Sequence, residues 1–172
     1  MDTKAWGPGG WVFLHTITFN YPLKIDNDDP DHQERRHYTE QLFENLKYTL
    51  PCKYCRQSYK EFLEELPLRD YLNSRRDLAY WLYEIHNKVN NKLRQQEIKA
   101  VTSFFNDLEQ HVKTKKISKS QAYRKLKRFV EKTMITEDDP SFEEVCAHYE
   151  TFRAGCAKEK NGLAVCRSPP PK

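Results

Sequence analysis

Hydrophobic positions along this chain recur at the spacing of helices, not of strands. Trp11, Leu14, His15 and Thr18 fall at i, i+3, i+4 and i+7, on one face of a helix that Gly7-Pro8-Gly9-Gly10 opens and Tyr21-Pro22 closes. The run from Asp26 to Asp31, with Pro30 in it, reads as a solvated loop. A second helix is predicted from about His32 to Thr49, striped by Tyr38, Leu42, Phe43 and Leu46 and broken at Leu50-Pro51. A third begins at Cys52 and ends before Pro67. A fourth starts after Asn73-Ser74, which supplies an N-cap, and carries Leu78, Trp81, Leu82, Ile85, Val89 and Leu93 on one face. Another helix is expected over Ser141–Arg153 after Pro140, with a flexible tail at Ser168–Lys172. No alternating stretch of useful length occurs, so the predicted fold is all-α: a four-helix bundle with an additional short C-terminal helix.

The polar positions change character beyond about Gln95. Lys113 to Arg128 holds eight Lys or Arg and no Asp or Glu, and reads as helical from Ser118. Such a run is most often a solvated helix face; the alternative is a contact surface for phosphate, nucleic acid or an acidic partner. The whole chain, with 29 basic against 25 acidic residues, is only +4, so any such contact is local to this segment. Hydrophobic content of 38% beside 31% charged residues is low for a tightly folded chain, but 13% aromatics argue for ordered helices with polar outer faces.

The first twenty residues lack the basic start, unbroken apolar stretch and cleavage site of a secretory signal. No stretch reaches the roughly 18–20 apolar residues that cross a bilayer. The expectation is a protein on the cytosolic side with no membrane partner. Its five cysteines are then an oddity, too few for a disulfide scaffold and odd in number. In a reducing compartment, stable disulfides are usually catalytic or redox-active.

The sharpest local signal is Pro51-Cys52-Lys53-Tyr54-Cys55. Cysteines at i and i+3 of a helical turn can close a small-ring disulfide, and the free N–H groups at a helix start stabilise a thiolate, with Lys53 and Arg56 adding positive charge. The competing readings are half of a zinc site and two unrelated buried cysteines. Zinc wants a second, closely spaced ligand pair, whereas Cys146, Cys156 and Cys166 lie ten apart and the histidines are scattered, so no metal is expected. A second signal is His86 through Leu93, with His86 and Asn90 one turn apart at the edge of the apolar stripe. Either neighbouring backbone satisfies them, or a bound group with ring nitrogens, carbonyls or hydroxyls does. Trp11 and His15 form a third such pair; Trp11 taken singly reads as core. Four short antiparallel helices could bring all of these groups to one mouth of a bundle.

Trp6-Gly-Pro-Gly-Gly-Trp-Val-Phe-Leu-His15 running to Tyr21-Pro22, then Pro51-Cys-Lys-Tyr-Cys55, then Trp81-Leu-Tyr-Glu-Ile-His-Asn-Lys-Val-Asn90 resembles, in order and spacing, the Erv/ALR family of FAD-linked sulfhydryl oxidases. The opening is most similar to members encoded by large DNA viruses. The likeness covers about residues 6 to 95. It implies FAD at the bundle mouth, usually a homodimer, a dithiol protein substrate such as a thioredoxin-like redox protein, and electrons passed to O2 as H2O2. Cys55 matches the cysteine beside the flavin, and Cys52 the one that exchanges with incoming thiols. Gly7, Trp11, His15, Trp81, Tyr83, His86, Asn87 and Asn90 match cofactor-contacting positions, with Lys92 and Leu93 following in the same stretch.

The chain departs from the family pattern in three places. Pro8 stands where cellular members have an Arg. Tyr83 stands where many have a cysteine stapling the fourth helix to the fifth, so that staple is expected to be absent. The Lys-rich stretch looks like an insertion. The resulting division is an oxidase core over 1–96, a basic helical insertion over 97–139, the last helix over 140–156, whose Tyr149 and Arg153 close over the cofactor, and a Cys/Pro-containing tail over 157–172. Cys146, Cys156 and Cys166 remain candidates for a shuttle or a structural disulfide. The expected location is host cytoplasm or virion, with the mitochondrial intermembrane space as the alternative; nucleic acid is possible as a partner but not expected.

Overall fold

The computed structural model describes residues 3–134 and 138–152, and the backbone of 155–158 and 164–167. In chain order these form α1 (Thr3–Phe19), α2 (Pro30–Thr49), α3 (Lys53–Glu65), a 3-10 turn (Leu68–Tyr71), α4 (Arg75–Lys113), α5 (Lys119–Thr133), α6 (Phe142–Glu150), β1 (Gly155–Lys158) and β2 (Ala164–Arg167). They fall into two compact units, residues 1–86 with 140–172 and residues 87–139.

Local chemistry sets the helix ends, and some differ from the pattern's prediction. α2 starts two residues early because Asp29 caps it, its carboxylate accepting the Asp31 N–H at 2.9 Å, and Pro30 sits in the first turn, where its missing donor costs nothing. α1 starts at Thr3 and runs through Pro8, which forgoes one intrahelical bond. α4 does not stop near Gln95. Its 39 residues contain no Gly or Pro and continue to Lys113, and the boundary between units falls at 86/87, inside this helix, where the charge shift suggests 96/97. α5 and α6 each begin with a capping box, Ser118 with Gln121 and Ser141 with Glu144. α6 ends at Glu150, short of the expected Arg153 or Cys156, and residues from Gly155 are extended. β1 and β2 pair antiparallel with Cys156 opposite Cys166. Four-residue strands are too short for alternation to register in the sequence, and they leave the fold all-α. Arg153 and the Ser168–Lys172 tail lie outside the described residues.

The core of the first unit gathers Phe43 from α2, Tyr59 and Leu63 from α3, Leu68 and Leu72 from the following turn, and Leu78, Trp81, Leu82 and Ile85 from α4, with Trp11, Leu14 and Ile17 of α1 packed against them. Three buried aromatics of this core have partners for their polar handles. Tyr21 donates to the Leu72 carbonyl at 3.0 Å, Tyr59 to the Phe43 carbonyl at 2.9 Å, and the Trp81 indole N–H to the Leu66 carbonyl at 3.1 Å. A second cluster uses the opposite side of α4: Ala79 and Tyr83 meet Phe19, Phe142, Val145 and Tyr149, so α4 is apolar on two faces and carries α6 as well as the bundle. Within residues 87–139, Phe104 of α4 stacks on Phe129 of α5 with centroids 4.3 Å apart.

Phe43 is fully buried and meets the Trp81 ring edge-on, centroids 5.2 Å apart. Phe43→Ala is expected to cost about 3–5 kcal/mol in urea unfolding; a loss below about 1 kcal/mol would show that this core is not the one that holds the fold.

Candidate functional site

Pro51 ends the chain's exit from α2 and leaves Cys52 in extended backbone, φ −97° and ψ 127°, where its side chain caps α3 in place of the usual Ser or Asp. Cys52 Sγ accepts the Cys55 N–H at 3.3 Å. Both cysteines are half-buried thiols, beside exposed Lys53 and Tyr54. A hydrogen bond from the Cys55 thiol, and then the Cys55 N–H, hold the Cys52 pKa below the ordinary thiol range. The positive end of α3 acts in the same direction. Arg56, expected as nearby positive charge, is anchored on the Leu50 carbonyl at 2.5 Å, which ties the start of α3 to the end of α2.

The second constellation is a ladder of rings contributed by α1, α4 and α6. Trp11 stacks on His86 at 3.8 Å and 13°. His15 Nε2 lies 3.2 Å from His86 Nδ1, one N–H donating to the other ring's lone pair. Tyr149 stacks on His15 at 4.8 Å, and Phe19 on Tyr149 at 5.6 Å. Burial, with the neighbouring His86 adding to it, lowers the His15 pKa to about 3, so this imidazole is neutral at physiological pH. Its Nδ1 is buried with no partner, and so is the Trp6 indole N–H. An orphaned polar atom beside stacked rings suits a planar heteroaromatic group that brings hydrogen-bonding atoms of its own.

Other expected site residues are placed differently. Trp81 is fully buried with its N–H satisfied, so it offers a ligand no free donor; its place is the core. The Tyr83 ring meets Phe142 at 5.4 Å and Tyr80 at 6.2 Å, and Arg76 lies over Phe142 at 5.2 Å, so aromatic packing binds α6 to α4 at the position where a cysteine staple is common in the resembling family. An open concavity of about 510 Å³ is lined by these groups with Tyr71, Asp77 and Glu84; neither the cysteine pair nor the imidazoles lie on it. A Cβ on Gly7 would meet nothing within 4 Å, so no close approach requires glycine there. In residues 87–139, Asn87 and Lys92 are half-buried and Leu93 is exposed. Asn90 donates to Asp139 at 2.7 Å and Arg94 to the same carboxylate at 2.5 Å. Cys146 is a free thiol whose pKa burial pushes up. Sequence reasoning missed Trp6 as an unpartnered donor, Phe19 in the ladder, and Asp139, which meets Asn90 across 49 residues and has no local signal. No group of three or more His, Cys, Asp or Glu among the described residues is arranged for a metal.

The described residues are mainly helical, with a thiol pair opening one helix and a neutral imidazole–aromatic ladder between three others. The profile described as the Erv1 / Alr family matches residues 8–111, and the chain belongs to that family. A "Probable FAD-linked sulfhydryl oxidase" of Acanthamoeba polyphaga mimivirus is 38% identical over 91 residues, 52% of this chain and 59% of that protein. A FAD-linked sulfhydryl oxidase of African swine fever virus is 32% identical over 93 residues, 54% of this chain and 71% of the other. The chain thus spans less than two thirds of the mimivirus relative. The crystal structure of the yeast Erv1 core aligns over 55% of this chain and 73% of its own, at 26% identity and a TM-score of 0.47.

Two outcomes test this geometry. Cys55→Ala removes the thiol hydrogen bond that lowers the Cys52 pKa most and leaves the backbone N–H, so the pH midpoint of Cys52 alkylation by iodoacetamide should rise toward the ordinary thiol value; an unchanged midpoint contradicts the thiol–thiol bond. Between pH 6.5 and about 3 the unfolded chain binds a proton at His15 that the folded chain refuses, so stability falls as pH drops through that window. His15→Phe should flatten this fall between pH 7 and 5 relative to the native protein, read from urea midpoints, and equal slopes would refute the buried neutral imidazole.

Proposed function

We propose that the chain is a FAD-dependent thiol oxidase that makes disulfides in a dithiol protein substrate. The observation that carries this reading is the Cys52 thiol capping α3 with Cys55 one turn on, in a member of the Erv1 / Alr family. The chemistry that FAD supplies when bound is two-electron transfer from a dithiol to O2, giving H2O2.

The chain's own part is disulfide exchange. A substrate thiolate attacks Cys52 of the closed Cys52–Cys55 disulfide; that S–S bond breaks and Cys55 leaves as a thiolate. The substrate's second thiolate attacks the substrate sulfur of the mixed disulfide, and the oxidised substrate departs as Cys52 leaves in turn. A lowered Cys52 pKa makes it a good leaving group in this second step. Two electrons then rest on the Cys52/Cys55 dithiol.

Trp11, His15, His86 and Tyr149 would hold the ring system, with Trp6 Nε1 and His15 Nδ1 offered to its polar edge. Gly7, Asn87, Asn90, Lys92, Leu93 and Arg153 are assigned as cofactor contacts by the resemblance alone, and Asn90 must first give up Asp139. Trp81 and Tyr83 act from the core and the α4–α6 contact. Of the remaining cysteines, Cys156 and Cys166 suit a disulfide best, because residues directly opposite in an antiparallel pair have Cα atoms about 4.5–5.5 Å apart. Exposed Val12 and Phe13 on α1 and Tyr38 and Leu42 on α2 support a homodimer through that face. Among the described residues no helix is long and apolar enough to cross a membrane. We place the protein in host cytoplasm or virion, the mitochondrial intermembrane space being the alternative.

The purified protein should be yellow with flavin absorbance and should consume O2 when given dithiothreitol. Cys55→Ser should keep the flavin and reduce O2 consumption to the level of a variant lacking both cysteines. A colourless, fully folded protein, or undiminished turnover in Cys55→Ser, would refute the assignment.

A further inference from the structure

The segment 113–132 holds nine of the chain's 29 basic residues and one of its 25 acidic ones, so the rest of the chain, with 20 basic and 24 acidic side chains, is net negative. It lies beyond the family-matched residues 8–111, and thiol oxidation has no use for it. α5 is secured at its start by the Ser118–Gln121 capping box and on its apolar side by the Phe129–Phe104 stack, with Ala122, Leu126 and Val130 half-buried on that same side. The opposite face is therefore held outward. Arg124, Arg128 and Lys132 form an i, i+4, i+8 row rising about 6 Å per step, with Lys125 beside it, all exposed. The one acidic residue, Glu131, pairs with Lys127 at the edge, 3.9 Å away, and leaves the row itself without a carboxylate among the described contacts.

We infer that this face of α5 binds the phosphate backbone of nucleic acid without sequence selectivity. Two arginine forks in a row suit phosphate oxygens. An anionic membrane fits less well, because an interfacial helix needs its apolar side free, and here that side is packed on α4. An acidic polypeptide would find charge but no apolar groove beside it.

The test uses the full-length protein and a fluorescently labelled 20-base-pair DNA duplex, read by anisotropy. Four phosphate contacts predict affinity falling on the order of 100-fold between 50 and 200 mM salt, equally for two unrelated sequences. The triple variant Arg124→Gln, Arg128→Gln, Lys132→Gln should lessen the salt slope by about 3, with flavin absorbance and dithiothreitol oxidation unchanged. Equal affinity for polyglutamate, binding only to anionic lipid vesicles, or an unaltered slope in the variant would each overturn the inference.

Discussion

His15 is a polar ring with 2% of its surface exposed, and the helices around it are arranged to make that tolerable. An imidazole this deep must stay neutral and find a partner. The partner is His86, so α1 and α4 have to meet with these two positions level. Trp11, one turn before His15, then falls on the His86 face, and Tyr149 from α6 closes the other side of His15. α4 consequently needs two apolar faces, one for the bundle and one for α6. The arrangement leaves His15 Nδ1 without a partner, a cost of about 1–3 kcal/mol for a buried polar atom. A fold has little reason to keep such an atom unless something else satisfies it.

The cysteine pair follows a different rule, that of the helix start. Ser or Asp at an N-cap accepts a backbone N–H because its oxygen carries negative character. Cys52 performs this task well only as a thiolate, so the Cys55 N–H that makes the cap also lowers the pKa, second to the Cys55 thiol. Stabilising the thiolate favours the reduced pair, which makes the disulfide a stronger oxidant toward an incoming dithiol. That bias suits the proposed thiol exchange.

Features with a local cause were readable from the sequence. The Cys52 cap follows from Pro51 and the break at Leu50, and the Ser118 and Ser141 starts from their capping chemistry. Where a decision depended on a distant partner, the sequence was silent. Tyr38, Leu42, Phe43 and Leu46 form one stripe on paper, yet Phe43 alone is fully buried while Tyr38 and Leu42 face outward, because a stripe wide enough for a core is also wide enough to straddle its edge. Trp81 looked like a ligand contact from its motif and like core from its place in the apolar stripe, and the Leu66 carbonyl, 15 residues away, takes its N–H. α4 ran past the charge shift because charge does not end a helix that has no Gly or Pro to break it.

Whole-chain charge conceals the basic row for a related reason, since +4 is the sum of two segments of opposite sign. Electrostatic attraction acts over about a Debye length, some 8–10 Å at moderate salt. A polyanion near α5 therefore feels the local row of cations most strongly. The shifted pKa of Cys52 comes from hydrogen bonds at Cys55. The proposed binding through α5 and the proposed thiol exchange at α3 thus rest on different residues and different interactions.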